Sequence, residues 1–323
     1  MPDTARALVY AAPQHCEIRD FPLVELAPGL VEVETLFSGL SRGTERVVFN
    51  GAIPESEHSR MRAPFQIGEF PFPVAYGYAS VGNVVEGPED LRGRTVFSLA
   101  PHQERLRLNG SAVTVLPEEV TPERAVLAAN TETALNAIWD AELQPGSTVL
   151  IVGAGLLGCL LAALLSIRQD LSVYICDLLP QRSATLTEFP VSFITTTEGL
   201  DSVAVSFHTS ASAAGLQTAI DALAFEGRVI ELSWFGDRDV TLSLGGTFHS
   251  KRLTIQSSQV GHVARARRAS TTYAQRLGQA LGHLADPRFD AFVTEEVAFD
   301  DLPEAMPRLL APDAPGIATR IRY

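Results

Sequence analysis

Cysteine is scarce in this chain: three among 323 residues, Cys16, Cys159 and Cys176, with no CxxC pair. So few, scattered and odd in number, they support neither a disulfide framework nor a structural zinc lobe. Cys159 and Cys176 lie inside apolar runs and read as small buried hydrophobes. Positive charge is scarce too, with 25 Lys and Arg against 38 Asp and Glu and a formal net charge of −13. Nucleic-acid and anionic-membrane surfaces need clustered basic residues, and the short run Arg265 to Arg268 reads as a solvated helix face. No uninterrupted apolar run reaches membrane-spanning length, and residues 1–15 lack a basic segment followed by an apolar one. A cytoplasmic protein with a small-molecule substrate is expected, with neither nucleic acid nor membrane as partner. No repeat or low-complexity tract is present. What remains is a globular composition, 46% hydrophobic and 20% charged, at a length that predicts about two domains.

The most informative stretch runs from Thr148 to Asp177. Val149 to Val152 is an apolar strand, Gly153-Ala154-Gly155-Leu156-Leu157-Gly158 a glycine-rich turn, the next apolar run a helix, and Ser172 to Cys176 a second strand ending on Asp177. This is the dinucleotide-binding fingerprint. Gly153 permits the turn, Gly155 lets the backbone approach a pyrophosphate, and Gly158 lets helix pack on strand. Free N–H groups at the helix start, from Leu156 and Leu157 onward, face the phosphates. Asp177 either accepts from ribose hydroxyls and repels a 2′-phosphate, favouring NAD over NADP, or caps a helix before Pro180. Arg182, five residues on, either lies beside the ribose and softens that preference or is a solvated first-turn charge.

The rest of the chain frames this unit. Residues 1 to about 115 read as short strands, among them Val31–Thr35, Ser80–Glu86 and Gly93–Phe97, forming a partly closed β-barrel. A Pro-rich loop from Gly51 to Pro73 interrupts them; its Phe65, Phe70 and Phe72 are either a substrate wall or barrel packing. Thr121-Pro122-Glu123 starts a helix that the pattern carries through Ala141. After Asp177 come a strand at Ser202–Ser206, a helix at Ala213–Ala224, and strands at Gly227–Leu232 and Leu253–Ser258, completing a mostly parallel, doubly wound sheet. A helix over 264–284 and a strand over 317–323 follow. The expected division is a catalytic domain over 1–118, a Rossmann domain over 119–262, and a segment over 263–323 returning to the first domain.

This order of elements, with Gly39-Leu-Ser-Arg-Gly-Thr-Glu45, Tyr76-Gly-Tyr-Ala-Ser-Val-Gly82, Gln144-Pro-Gly-Ser-Thr148 and Gly316 to Arg320, resembles the medium-chain dehydrogenase/reductase superfamily, and within it the group containing bacteriochlorophyllide hydroxyethyl dehydrogenase. The resemblance implies a GroES-like β-barrel beside the Rossmann domain, a homodimer, and chemistry on alcohols and ketones. It also exposes departures. The positions of the family's catalytic zinc ligands fall at Ser41, Tyr78 and near Ala128 or Ala129, and a hydroxyl, a phenol and a methyl do not make a zinc site. No metal is expected.

By the same resemblance Arg42 and Arg320 touch the pyrophosphate and Arg182 stands by the adenosine ribose, the bland alternative for each arginine being a surface charge; Ser233 and Ser257, at strand ends facing the switch point, are placed to flank the nicotinamide through their backbone. Thr44 is the relaying hydroxyl and Tyr78 the proton donor, or else packing. Glu132 lies in a helix that passes beneath the nicotinamide in the family, and is either a functional acid or part of a solvated face. His102, on a turn after a barrel strand, is either an acid–base group or a surface histidine. The leading reading is a zinc-independent oxidoreductase using NAD. A carbon–carbon double-bond reductase using NADPH and a catalytically silent NAD-binding protein are the alternatives.

Overall fold

In the computed structural model residues 3–200 and 202–323 are described; Met1 and Pro2, at the head of the amino-terminal stretch, lie outside the described residues. The first half runs β1 (Thr4–Ala12), β2 (His15–Pro22), β3 (Leu30–Leu40), α1 (Arg42–Phe49), β4 (Ile67–Gly68), β5 (Val74–Ala75), β6 (Ser80–Glu86), β7 (Thr95–Ser98), β8 (Arg105–Asn109), β9 (Val113–Val115), α2 (Pro122–Ala125) and α3 (Ala128–Ala141). The second runs β10 (Thr148–Val152), α4 (Leu156–Ser166), β11 (Ser172–Cys176), β12 (Ser192–Ile194), β13 (Val203–His208), α5 (Ala213–Asp221), β14 (Leu223–Glu231), α6 (Thr247–Ser250), β15 (Thr254–Ser257), α7 (Tyr273–His283), β16 (Val293–Ala298), α8 (Leu302–Leu309) and β17 (Ala318–Arg322).

Two units result: Met1–Ala129 with Gly236–Arg238 and Leu284–Tyr323, and Asn130–Phe235 with Asp239–His283. In unit 2 six parallel strands stand in the order β12-β11-β10-β13-β14-β15, the doubly wound Rossmann arrangement. Strand β10 is buried along Val149 to Val152 and α4 from Gly158 to Ser166, as expected of elements covered on all sides. Unit 1 is the GroES-like barrel, with sheets β2-β1-β5-β4 and β16-β17-β3-β6-β7-β9. Strand β17 enters it antiparallel to β3, Thr319 opposite Leu40.

Several local expectations change. The helix opened by Thr121, whose Oγ1 accepts the Arg124 N–H, is broken at Val126-Leu127. There the Val126 carbonyl occupies the space that a side chain on Gly39 would need, and packing onto β3 prevails over helical continuity. The helix expected over 264–284 shrinks to α7. Ala264 gives its N–H to Asn136 Oδ1, while Thr272 Oγ1 caps the new start by accepting from Gln275 N–H. The two units described above divide at 129/130 and 283/284, with Gly236–Arg238 in the first. Helix α2 packs on β3 and β6, and Arg276 of α7 bonds Glu132.

Candidate active site

Within unit 2, the carboxyl end of β10 turns at Gly153, whose φ of +107° is closed to most side chains. A Cβ on Gly158 would lie 1.8 Å from the Gly153 carbonyl oxygen, whereas one on Gly155, the first residue before α4, would meet nothing within 4 Å. The turn is therefore tight behind and open in front. No side chain caps the start of α4, which leaves the N–H groups around Leu156 and Leu157 facing a phosphate-sized space. Asp177 Oδ2 accepts from Ala154 N–H at 2.7 Å and from Arg182 at 3.0 Å, and Oδ1 accepts from Leu179 N–H at 2.9 Å. A carboxylate has about four acceptor sites, so one is left for a ribose hydroxyl. Arg182 is not a solvated charge: it is paired with Asp177, beside the acceptor site left for a ribose hydroxyl, and its buried Nε has no partner in the protein. That orphaned donor and the open cradle fit a dinucleotide. Gly158→Ala is expected to cost about 1–3 kcal/mol of stability by overpacking and to weaken nucleotide binding; urea unfolding and NADH titration would read the two effects.

In unit 1, register gathers the chemistry. Ser38 on β3 pairs with Ser80 on β6, and Ser80 with Ser98 on β7. The chain just beyond Leu40, before Ser80 and after Ser98 therefore emerges at one end of the sheet, carrying Ser41, Tyr78 and His102. The Tyr78 hydroxyl donates to Ser41 Oγ at 2.5 Å. Burial pushes the phenol up to about 12, against the pull of hydrogen bonds to Ser41 and Thr44.

Beneath this hydroxyl cluster lies a network that the sequence reading missed. Glu45, fully buried in α1, accepts from Tyr10 OH at 2.6 Å, from Ser41 N–H at 2.6 Å and from His102 Nε2 at 2.9 Å. On its other side the His102 ring meets Ser38 Oγ at 2.8 Å, and Ser38 meets Tyr323 OH at 3.0 Å. Burial by itself would raise Glu45; His102, Tyr10 and Ser41 hold it below its ordinary 4.5. Burial, with Glu45 adding to it, puts Tyr10 well above its usual value. His102 is accordingly neither a surface residue nor open to a substrate. Gly77, at φ +126°, lets the ring in: a Cβ there would lie 3.0 Å from its Cδ2. An available signal was an acid one residue away from the run Val47-Val48-Phe49, all buried.

Five further expected site residues are placed as follows. Glu132 is neither solvated nor free: it is 5% exposed and held by Arg276 Nε at 2.9 Å, with Arg276 also bonded to Asn136 and to the Val260 and His262 carbonyls. Desolvation still raises its carboxyl. Arg320 donates to Glu296, lies over the Phe37 ring, and lines a hollow of ≈ 460 Å³ with Glu123, Asp290 and Glu295, a setting that repels phosphate. Arg42 spends Nη1 on the Ala314 and Gly316 carbonyls. Ser233 gives its N–H to Glu231, so that group is not free for a nicotinamide; Ser257 is exposed in β15. Among the described residues no group of three or more His, Cys, Asp or Glu comes together to hold a metal, and no helix is long and apolar enough to cross a membrane.

No protein-family pattern matches the chain. It is 32% identical over 180 residues to 2-desacetyl-2-hydroxyethyl bacteriochlorophyllide A dehydrogenase of Cereibacter sphaeroides, a match covering 49% of this chain and 52% of that one, about half its length. It is 24% identical over 254 residues to D-guloside 3-dehydrogenase of Escherichia coli K12, covering 69% and 72%. Three solved structures share the fold over 99–100% of this chain and 99% of theirs. They are L-idonate 5-dehydrogenase of Escherichia coli K-12 (TM-score 0.79, 14% identity), an Escherichia coli CFT073 alcohol dehydrogenase with NADH (0.75, 14%) and S. aureus TarJ with NADPH (0.74, 17%). With a Rossmann unit and a GroES-like unit in one chain, these likenesses support assignment to the medium-chain dehydrogenase/reductase superfamily, in its alcohol dehydrogenase-like part.

Proposed function

We propose that this oxidoreductase moves a hydride between NAD(H) and a secondary alcohol or ketone without a catalytic zinc. The observation that carries the reading is the cluster of Tyr78, Ser41 and Thr44, standing in sequence where the resemblance puts zinc ligands and a relaying hydroxyl. Solved neighbours hold NADH or NADPH, and the cradle from Gly153 to Asp177 fits such a dinucleotide. The nicotinamide, when bound, supplies the hydride.

The remaining work falls to the chain's own groups. With its pKa pushed up to about 12, Tyr78 holds its proton at neutral pH. When a ketone binds, the phenol turns its one proton from Ser41 Oγ to the ketone oxygen, Ser41 then donating to Tyr78, and gives the proton up as negative charge develops there. Ser41 and Thr44 keep the phenol in place and pass it a replacement proton. Zinc does not fit this donor set, because hydroxyls at 41 and 78 and methyls at 128 and 129 lack the thiolate and imidazole ligands of a three-ligand site. The same reading takes the protein as a cytoplasmic homodimer acting on a small molecule.

Chelator-treated protein titrated with NADH and NADPH, then offered alcohols, ketones and enones, tests this. NADH is expected to bind at least tenfold tighter, about 1.4 kcal/mol, and ketones to turn over. Tighter NADPH binding with enone turnover would favour the double-bond reductase, with Arg182 prevailing over Asp177. Activity that needs added zinc would defeat the zinc-free mechanism.

A further inference from the structure

At the carboxyl edge of unit 2's sheet lies a second ordered set of side chains. His208, the last residue of β13, is fully buried. Its Nδ1 meets Glu231 Oε2, at the end of β14, at 2.7 Å, and its Nε2 meets Ser210 Oγ at 2.7 Å. Ser210 Oγ meets Ser212 Oγ at 3.0 Å, and Ser212 Oγ accepts from Gly215 N–H at 3.0 Å. Phe235 stacks on the imidazole. A Cβ on Gly215 would lie 2.1 Å from Ser210 Oγ and 3.1 Å from His208 Nε2, so the glycine keeps room for the set.

Hydrogen-bond polarity along this chain follows from the tautomer of His208. Glu231 can only accept, so Nδ1 carries a proton, and in the Nδ1–H tautomer Nε2 accepts. Ser210 therefore spends its one proton on His208, and Ser212 donates to Ser210. One lone pair of Ser210 Oγ remains, on an exposed residue. A hydroxyl fixed as an acceptor attracts a donor and repels a phosphate oxygen.

Its place identifies the donor. Val152 pairs with His208, so the ends of β10 and β13 are level. Thr209 Oγ1 donates to the Gly153 carbonyl at 2.8 Å, and a Cβ on Gly153 would lie 2.9 Å from Ser210 N. Ser210 thus stands against the glycine turn, at the point where strand order reverses between β10 and β13 and where ligands of open α/β sheets bind. We propose that Ser210, polarised by His208 and Glu231, is a specificity-determining acceptor for a ribose hydroxyl of the bound dinucleotide. The proposal rests on the dinucleotide reading of the Gly153 turn.

Binding of NADH, ADP, reduced nicotinamide mononucleotide and inorganic pyrophosphate to wild type and Ser210→Ala tests it, with thermal midpoints as a folding control. NADH affinity should fall about three- to tenfold, the worth of one net hydrogen bond, and pyrophosphate affinity should not change. A parallel fall for ADP assigns the adenosine ribose; a fall for the mononucleotide with ADP unchanged assigns the nicotinamide ribose. Glu231→Ala, which removes the acceptor that fixes Nδ1 as the donor, should mimic the loss, and the double variant should be no weaker than the weaker single, because both act through one hydrogen bond. Unchanged NADH affinity in folded Ser210→Ala overturns the proposal, as does an equal fall for pyrophosphate. Failure of wild type to bind any nucleotide overturns the Gly153 reading itself.

Discussion

Replacing Glu45 by alanine is expected to destabilise unit 1 by several kcal/mol, at about 1–3 kcal/mol for each buried donor that loses its acceptor. The carboxylate takes donors from β1, from the start of α1 and from the turn holding His102. Its loss leaves the Tyr10 hydroxyl, the Ser41 N–H and the imidazole buried without acceptors. Urea unfolding followed on unit 1 would measure it, and a midpoint close to wild type would show that water enters and replaces the carboxylate. Acid sensitivity has a definite sign. Because Glu45 sits below its ordinary 4.5 in the fold, its contribution is present above that value and is lost as pH falls through the lower folded one. The stability gap between wild type and Glu45→Gln should therefore close in acid and stay open at neutral pH.

The second large effect concerns rate. Tyr78→Phe removes one oxygen, keeps the ring that packs edge-on to Tyr76, and should lower kcat for ketone reduction by about 10²–10³-fold, roughly 2.7–4 kcal/mol, with little change in stability. The phenol's position near 12 adds a directional signature. Alcohol oxidation, which needs the phenolate to accept a proton, should speed up about tenfold per pH unit on the alkaline side below 12, because each unit multiplies the deprotonated fraction by about ten. Ketone reduction should vary little around neutrality. Full activity in the Tyr78→Phe variant would move the proton-transfer role to another group.

The sequence made legible whatever depends on local order. Val149 to Asp177 reads as strand, glycine turn, helix and strand because each glycine is required by its immediate neighbours. The strands at Ser80–Glu86 and Ser172–Cys176 were found at their observed ends. What remained hidden depends on long-range register. Glu45 and His102 are far apart in the chain, and only the pairing of Ser38 with Ser80 and Ser80 with Ser98 brings their segments to one end of the sheet. Glu132 looked like a choice between catalysis and solvent because Arg276, which settles its environment, lies more than 140 residues on. Arg42 and Arg320 match a pattern in sequence, whereas carbonyls and carboxylates close by in the fold take up their charge. His208 and Glu231 end adjacent parallel strands, a relation with no local signature.

On the ribosome β3 emerges long before β17, and residues 130–235 and 239–283 come out between them. At about 5–20 residues per second the Rossmann sheet, whose strands are nearly consecutive, has time to form while β3 still waits for the neighbour that Thr319 and Arg320 provide. Until then the Phe37–Leu40 end of β3, beyond the part that β8 covers, presents an unsatisfied edge, the kind of edge that recruits strands from other chains. Nascent-chain aggregation should accordingly peak at lengths that expose unit 2 but withhold β17, and chaperone demand with it.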